Sequence, residues 1–204
     1  MRRIVLASLS PRRKELLSLL GVPFEILASK TNEDPGDTPK SPEQHVRIVA
    51  RKKADEVARI VDDALVIGAD TIVVVDDQIL GKPKDSNDAV RMLKLLSGKV
   101  HKVYTGVVVL DVHSGIVVDS CEDCVETQVH VRELSEEMIE AYVRTGEPLD
   151  KAGAYAIQGY GSILIEGIVG DYFNVVGLPV HKLSVMLERF GVKPLSGLGR
   201  KEGG

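Results

Sequence analysis

No run of about 18 or more apolar residues occurs in this chain of 204 residues, which argues against a membrane-spanning helix. The first apolar stretch follows Arg2 and Arg3 directly and is only four residues long, too short for the core of a signal peptide, so the expected location is cytoplasmic. Aromatic residues make up 4%, and 30 acidic groups outnumber 26 basic ones for a net charge of -4. That balance excludes the broad basic field on which nucleic-acid binding or docking to an acidic membrane depends. Cysteine is reduced to Cys121 and Cys124, a C-x-x-C inside a segment that reads as a long strand. Residues three apart on a strand point to opposite faces. Zinc would need two more good ligands where only His130 is near, and redox pairs sit at helix starts, so neither role is expected. The chain also has no G-x-x-x-x-G-K-[ST] and no G-x-G-x-x-G after a strand, which excludes an ordinary P-loop or Rossmann enzyme. It has no evident catalytic cysteine or Ser-His-Asp set.

What the chain does contain begins with its first strand-to-helix turn. Ile4, Val5, Leu6 and Ala7 read as a short buried strand. Ser8, Ser10 and Pro11 follow, with Pro11 at the first helical position, and then Arg12, Arg13 and Lys14 occupy the first turn of a Leu-rich helix. Cations at a helix N-terminus oppose its dipole at a cost of roughly 0.3–1 kcal/mol each. Free backbone N–H groups, serine hydroxyls and guanidinium groups converging on one point form a phosphate receptor. The plain alternative is a capped surface helix with solvated arginines.

Three further segments carry polar residues in unusual places. In Gly68-Ala69-Asp70-Thr71, a carboxylate stands at the end of an apolar strand and before a second apolar run. Such a carboxylate must be paired, hydrogen-bonded or metal-bound, and it can hold a divalent cation or take a proton from water; a capping Asp in a tight turn is the alternative. In Gly81-Lys82-Pro83-Lys84, the glycine permits close approach of a ligand and Pro83 stiffens the loop bearing Lys82. An exposed lysine at a hairpin end is the other reading. The stretch 150–159 packs small residues around Tyr155 and Gln158, and the Gln158 amide offers a donor and an acceptor suited to a nucleobase edge, or to bracing a turn.

Helices are expected from Pro42 to near Ile60 behind a Ser41 cap, from Ser86 to Leu96, after Ser135 as far as Gly146, and from Pro179 to Gly191. Strands are expected at 65–69, 71–75, 78–80 and 162–165, with a long hairpin of 102–111 and 116–131. Helices alternating with strands, interrupted by a hairpin, predict an α/β fold: an elongated mixed sheet with flanking helices. The polar segments 8–14, 68–71, 81–84 and 150–161 would have to gather in one cleft. Many cations with few carboxylates fit phosphoryl chemistry, in which positioning and charge neutralisation do most of the work.

These segments, in this order, resemble the Maf family of nucleoside triphosphate pyrophosphatases. The resemblance rests on Leu6-Ala7-Ser8-x-Ser10-Pro11-Arg12-Arg13, Lys53-Ala54, Gly68-Ala69-Asp70-Thr71, Gly81-Lys82-Pro83 and His101-x-Val103-Tyr104-Thr105-Gly106. It continues with Asp150-Lys151-Ala152-Gly153-Ala154-Tyr155-x-Ile157-Gln158-Gly159 and Gly170-Asp171-Tyr172-x-Asn174-Val175-Val176-Gly177-Leu178-Pro179, and spans about residues 4–190. It implies a single domain over 1–194 with two lobes around a deep cleft, similar to inosine triphosphate pyrophosphatases, and the segment 195–204 reads as a flexible tail. It implies hydrolysis of a nucleoside triphosphate between the α and β phosphates with a divalent metal, Mg²⁺ or Mn²⁺, and suggests a homodimer. Asp70 matches the family's proton acceptor, and Glu33 sits where the family has an acidic residue near the metal, with Asp34 beside it. Arg12, Thr71 and Gln158 resemble the subtype acting on dTTP and UTP. The sister subtype acts on 7-methyl-GTP and carries an aromatic residue in place of Arg12; a nucleotide-binding regulator of cell division is the non-enzymatic alternative. The expected roles are phosphate binding by Ser8, Ser10 and Arg12 or Arg13, and charge neutralisation by Lys53 and Lys82. Metal binding or water activation falls to Asp70 with Glu33, and base reading to Thr71 and Gln158.

Overall fold

The computed structural model of the chain describes residues 2–31, 34, 35, 41–196 and 198. Its strands are β1 (Ile4–Leu6), β2 (Glu25–Ile26), β3 (Ala64–Val75), β4 (Gln78–Leu80), β5 (Val100–His113), β6 (Ile116–Val131) and β7 (Ile165–Val169). Its helices are α1 (Pro11–Ser18), α2 (Pro42–Ala58), α3 (Ser86–Leu96), α4 (Glu136–Arg144), α5 (Tyr172–Val176) and α6 (Val180–Arg189). One mixed sheet runs β2-β1-β3-β5-β6-β7, with β4 also on β3. β1 is parallel to β2 and β3, and every other pair is antiparallel. This is the expected α/β class.

α2 covers one face of the sheet. Val46, Val49, Ala50, Lys53, Ala54 and Val57 recur at spacings of three and four, which puts them on one buried stripe. Two glycines bring the helix unusually close. A Cβ on Gly68 would stand 2.2 Å from the Ala50 carbonyl oxygen, and one on Gly106 would stand 2.5 Å from that of Val46. The opposite face is covered in two halves, by α1 and α6 over Leu65, Ile67 and Val109 and by α3 and α4 over Val73, Val103 and Val129. Because the atoms facing Gly68 are helix backbone, Gly68→Ala is expected to cost about 1–3 kcal/mol through overpacking. Urea unfolding checks this, and an unchanged midpoint would contradict the close approach.

Several elements differ from the sequence expectation. The two strands expected at 65–69 and 71–75 are one strand of 12 residues, so Asp70 lies mid-strand rather than at a strand end or in a tight turn. The strand expected at 162–165 is a 3₁₀ turn, Gly159–Leu164, and β7 begins only at Ile165. The Glu147 carboxylate accepts the Tyr160 and Gly161 N–H groups at 3.0 and 2.9 Å and bends the chain there. α5 is short and was not expected; the Asp171 side chain caps it, accepting from the Phe173 and Asn174 N–H groups. The hairpin turn is tighter than expected, with only Ser114 and Gly115 between strands, both at positive φ as a twisted two-residue hairpin requires. Of the segment 195–204, residues 195, 196 and 198 are described; the Leu195 N–H donates to the Leu20 carbonyl at 2.6 Å.

One feature of the register positions the site. β5 occupies one edge of β3 along its length, pairing from Ala64 to Val74. On the other edge β1 pairs with Leu65, Val66 and Ile67, and β4 with Val73, Val74 and Val75. Residues 68–72 therefore lie in a gap between two short strands, with Asp70 at its centre. The chain leaving β1 enters this gap and opens α1 there, a reversal of the kind at which open sheets bind ligands.

Candidate functional site

A cavity of about 550 Å³ opens at the gap. Ser8, Ser10, Arg12 and Arg13 reach it from the turn between β1 and α1, Lys53 from α2, Asp70 and Thr71 from β3, Lys82 from the loop after β4, and Gln158 from the turn before β7. All the candidate residues among those described thus line one cavity. Glu33 lies outside the described residues.

Asp70 and Thr71 face opposite sides of β3, as neighbours on a strand must, and the gap lets the cavity reach both. On the α2 side, Lys53 Nζ stands 2.7 Å from Asp70 Oδ1, and both side chains are buried, at 8% and 6% exposure. Gly68 and Gly106 bring α2 close enough to make this pair. Lys53 was expected on phosphate, whereas its resolved partner is the carboxylate. On the other side, Arg13 donates through Nε to the Gly177 carbonyl at 2.9 Å, through Nη1 to Ser8 Oγ at 3.4 Å and through Nη2 to Thr71 Oγ1 at 3.2 Å. Ser10 caps α1, accepting the Arg13 N–H at 3.5 Å.

Arg12 and Gln158 make no side-chain hydrogen bond among the described residues, and both line the cavity. Gln158 is therefore not bracing its turn, which was the alternative reading. Arg12 lies within electrostatic reach of Asp150. Burial pushes the Asp150 carboxyl up, but the hydrogen bond and charge of Lys151, helped by Arg12, outweigh it and hold the group below the usual range.

Ser29, Thr31 and His45, which were not anticipated, also border the cavity, as do Lys151 and Tyr155 from the expected segment 150–161. The Glu56 carboxylate gathers the first of these segments, accepting from the Ser29 hydroxyl and from the N–H and hydroxyl of Thr31, and these bonds with Ser29 and Thr31 hold it below the usual carboxylate range. Glu56 was invisible in the sequence because it is one of several charged residues on α2. Tyr155 is held from behind by His101, whose Nε2 lies 2.7 Å from the tyrosine hydroxyl. Burial, followed by the nearby charge of His130, lowers His101 to a pKa of about 4 from 6.5. The unfolded chain therefore takes up this proton first. The contribution of neutral His101 is complete above pH 6.5 and is lost as pH falls toward 4, by about 3 kcal/mol. Unfolding free energies at pH 7 and pH 5 check this: His101→Gln should show the shallower decline, and equal declines would contradict it.

The family model described as Maf-like protein matches residues 3–190. The chain belongs to the Maf family. Relatives named dTTP/UTP pyrophosphatase match almost end to end. The one from Ruminiclostridium cellulolyticum is 49% identical over 193 residues, 95% of this chain and 98% of that protein. The one from Dictyoglomus turgidum is 46% identical over 190 residues, 93% and 97%. The one from Thermoanaerobacter sp. is 50% identical over 188 residues, 92% and 96%. Among solved structures, a HAM1 protein from Coxiella burnetii aligns with a TM-score of 0.48 at 12% identity, over 93% of this chain and 100% of that one; a likeness this distant carries no weight for function. In this Maf chain the matched span takes in every described residue that lines the cavity.

Proposed function

We propose that this Maf protein is a nucleoside triphosphate pyrophosphatase that hydrolyses dTTP and UTP between the α and β phosphates, releasing the nucleoside monophosphate and pyrophosphate. The observation carrying this reading is the gathering of Arg12, Lys82 and the N-terminus of α1 around a buried Asp70 at the gap in β3. Near-identical length and about half-identical sequence to relatives named for that activity support it.

Ser8, Ser10 and the N-terminal N–H groups of α1 would hold phosphate oxygens, with Arg12 supplying the charge; Arg13 is already bonded to Gly177, Ser8 and Thr71. Lys82 would neutralise the leaving pyrophosphate. Lys53 would orient the Asp70 carboxylate toward the attacking water. Carboxylates are weak bases, so the contribution of this one is orientation. Among the described residues no cluster of three metal-binding side chains occurs. Mg²⁺ nevertheless suits this donor set, because it binds through one or two carboxylates plus substrate phosphates. Asp70, with Glu33, would hold it. When bound, the ion would lower the pKa of water and neutralise phosphate charge. EDTA should abolish turnover and added Mg²⁺ or Mn²⁺ restore it; full activity in EDTA contradicts the metal assignment. No described helix is long and apolar enough to cross a membrane, and a cytoplasmic enzyme acting as a homodimer completes the proposal.

Gln158 would pair with the carbonyl and imino edge of uracil or thymine. The methyl that separates them is worth only about 1–3 kcal/mol in a pocket, so both are expected substrates. Relative kcat/KM across UTP, dTTP, the other common triphosphates and 7-methyl-GTP tests this. A preference for UTP and dTTP is expected, and a preference for 7-methyl-GTP would overturn the assignment.

A further inference from the structure

The motif residues Thr105 and Asn174 do not line the cavity, yet both are fully buried polar side chains one step behind it. The Thr105 hydroxyl donates to the Asn174 carbonyl at 3.0 Å. A carbonyl only accepts, so the single Thr105 proton is committed there. Thr105 Oγ1 is also 2.9 Å from Thr71 Oγ1, and the proton in that bond must then come from Thr71. Arg13, which reaches Thr71 Oγ1 from the other side, can only donate. The chain accordingly has one direction: Arg13 gives to Thr71, Thr71 to Thr105, and Thr105 to the Asn174 carbonyl.

A hydroxyl has one proton and two lone pairs. With its proton on Thr105 and one lone pair facing Arg13, Thr71 offers the cavity an acceptor and no donor. Phosphate oxygens also accept, so Thr71 is unsuited to hold them. It needs a donor from the nucleoside half of a ligand. Uracil and thymine present N3–H, whereas N3 of cytosine is an acceptor.

We propose that Thr105 is a positioning residue that fixes Thr71 as a hydrogen acceptor for the N3–H of uracil or thymine. The proposal rests on the function given above and adds to it the device that sets donor polarity. It also gives a purpose to the stretch 170–179. Asn174 is clamped by its own Nδ2, which donates to the Val103 carbonyl at 3.1 Å and to Thr127 Oγ1 at 3.0 Å, so the carbonyl that orients Thr105 cannot drift.

Thr105→Val keeps the shape and removes the acceptor, which frees the Thr71 proton to face the cavity. Thr105→Ser keeps the hydroxyl. The readout is kcat/KM for UTP and for CTP in each protein. The wild-type chain and Thr105→Ser should prefer UTP, and Thr105→Val should lose about tenfold or more of that ratio, the scale of one mismatched buried hydrogen bond. Thr105→Val that slows both substrates equally, with the ratio unchanged, overturns this proposal and leaves the function standing. A wild-type protein with no preference for UTP over CTP overturns both. Independently of any variant, wild-type protein given 3-methyl-UTP should lose about tenfold or more in kcat/KM relative to UTP; equal rates would overturn the proposal even if Thr105→Val fails to fold.

Discussion

Asp70→Asn is expected to lower UTP turnover by about a hundredfold or more, the scale of a lost general base or metal-bound carboxylate. The side chain sits at the middle of the stretch of β3 left open on one edge between β1 and β4, inside the cavity, with Lys53 on Oδ1. An asparagine oxygen still accepts from Lys53, so the local hydrogen bond survives while the negative charge goes. The comparison is therefore of charge at nearly constant shape. Steady-state kinetics with matching circular dichroism checks it, and near-normal turnover would remove Asp70 from the mechanism.

Lys53→Met is expected to act on stability as well as rate. Both side chains of the pair are buried, so deleting the cation removes a charged partner from a buried carboxylate. Breaking a buried pair from one side costs about 3–5 kcal/mol, whereas replacing both partners with apolar groups is often neutral. Lys53→Met should accordingly lower the urea midpoint well below wild type, and the double variant Lys53→Met with Asp70→Leu should recover most of the loss while remaining inactive. A single variant as stable as wild type would mean that the pair contributes little to folding and would favour contact of Lys53 with phosphate instead.

How much of this was legible in the sequence depended on whether the signal was local. Ser41 and Pro42, Ser86 to Leu96, and the Ser135 cap are short-range rules, and α2, α3 and α4 begin where those rules place them. The cation-rich start of α1 and the isolated Asp70 stood out because each departs from an ordinary preference, helix dipole in one case and burial of charge in the other. What could not be read was register. Nothing in 64–75 tells that β1 and β4 stop short of residues 68–72, and without that gap Asp70 reads as a strand end. Gly68 reads only as one position of the strand expected at 65–69, whereas its requirement for glycine comes from the Ala50 carbonyl of α2, eighteen residues earlier in the chain. Thr105 carried no local signal of chemistry inside a hydrophobic strand; only the pairing of β5 with β3 brings it opposite Thr71.

The central claim is cleavage between the α and β phosphates at the gap in β3. Hydrolysis of UTP in heavy-oxygen water with Mg²⁺, followed by separation and mass analysis of the products, tests it most directly. The account predicts UMP carrying the label together with unlabelled pyrophosphate. UDP with labelled phosphate, or no turnover of UTP at all, would contradict it.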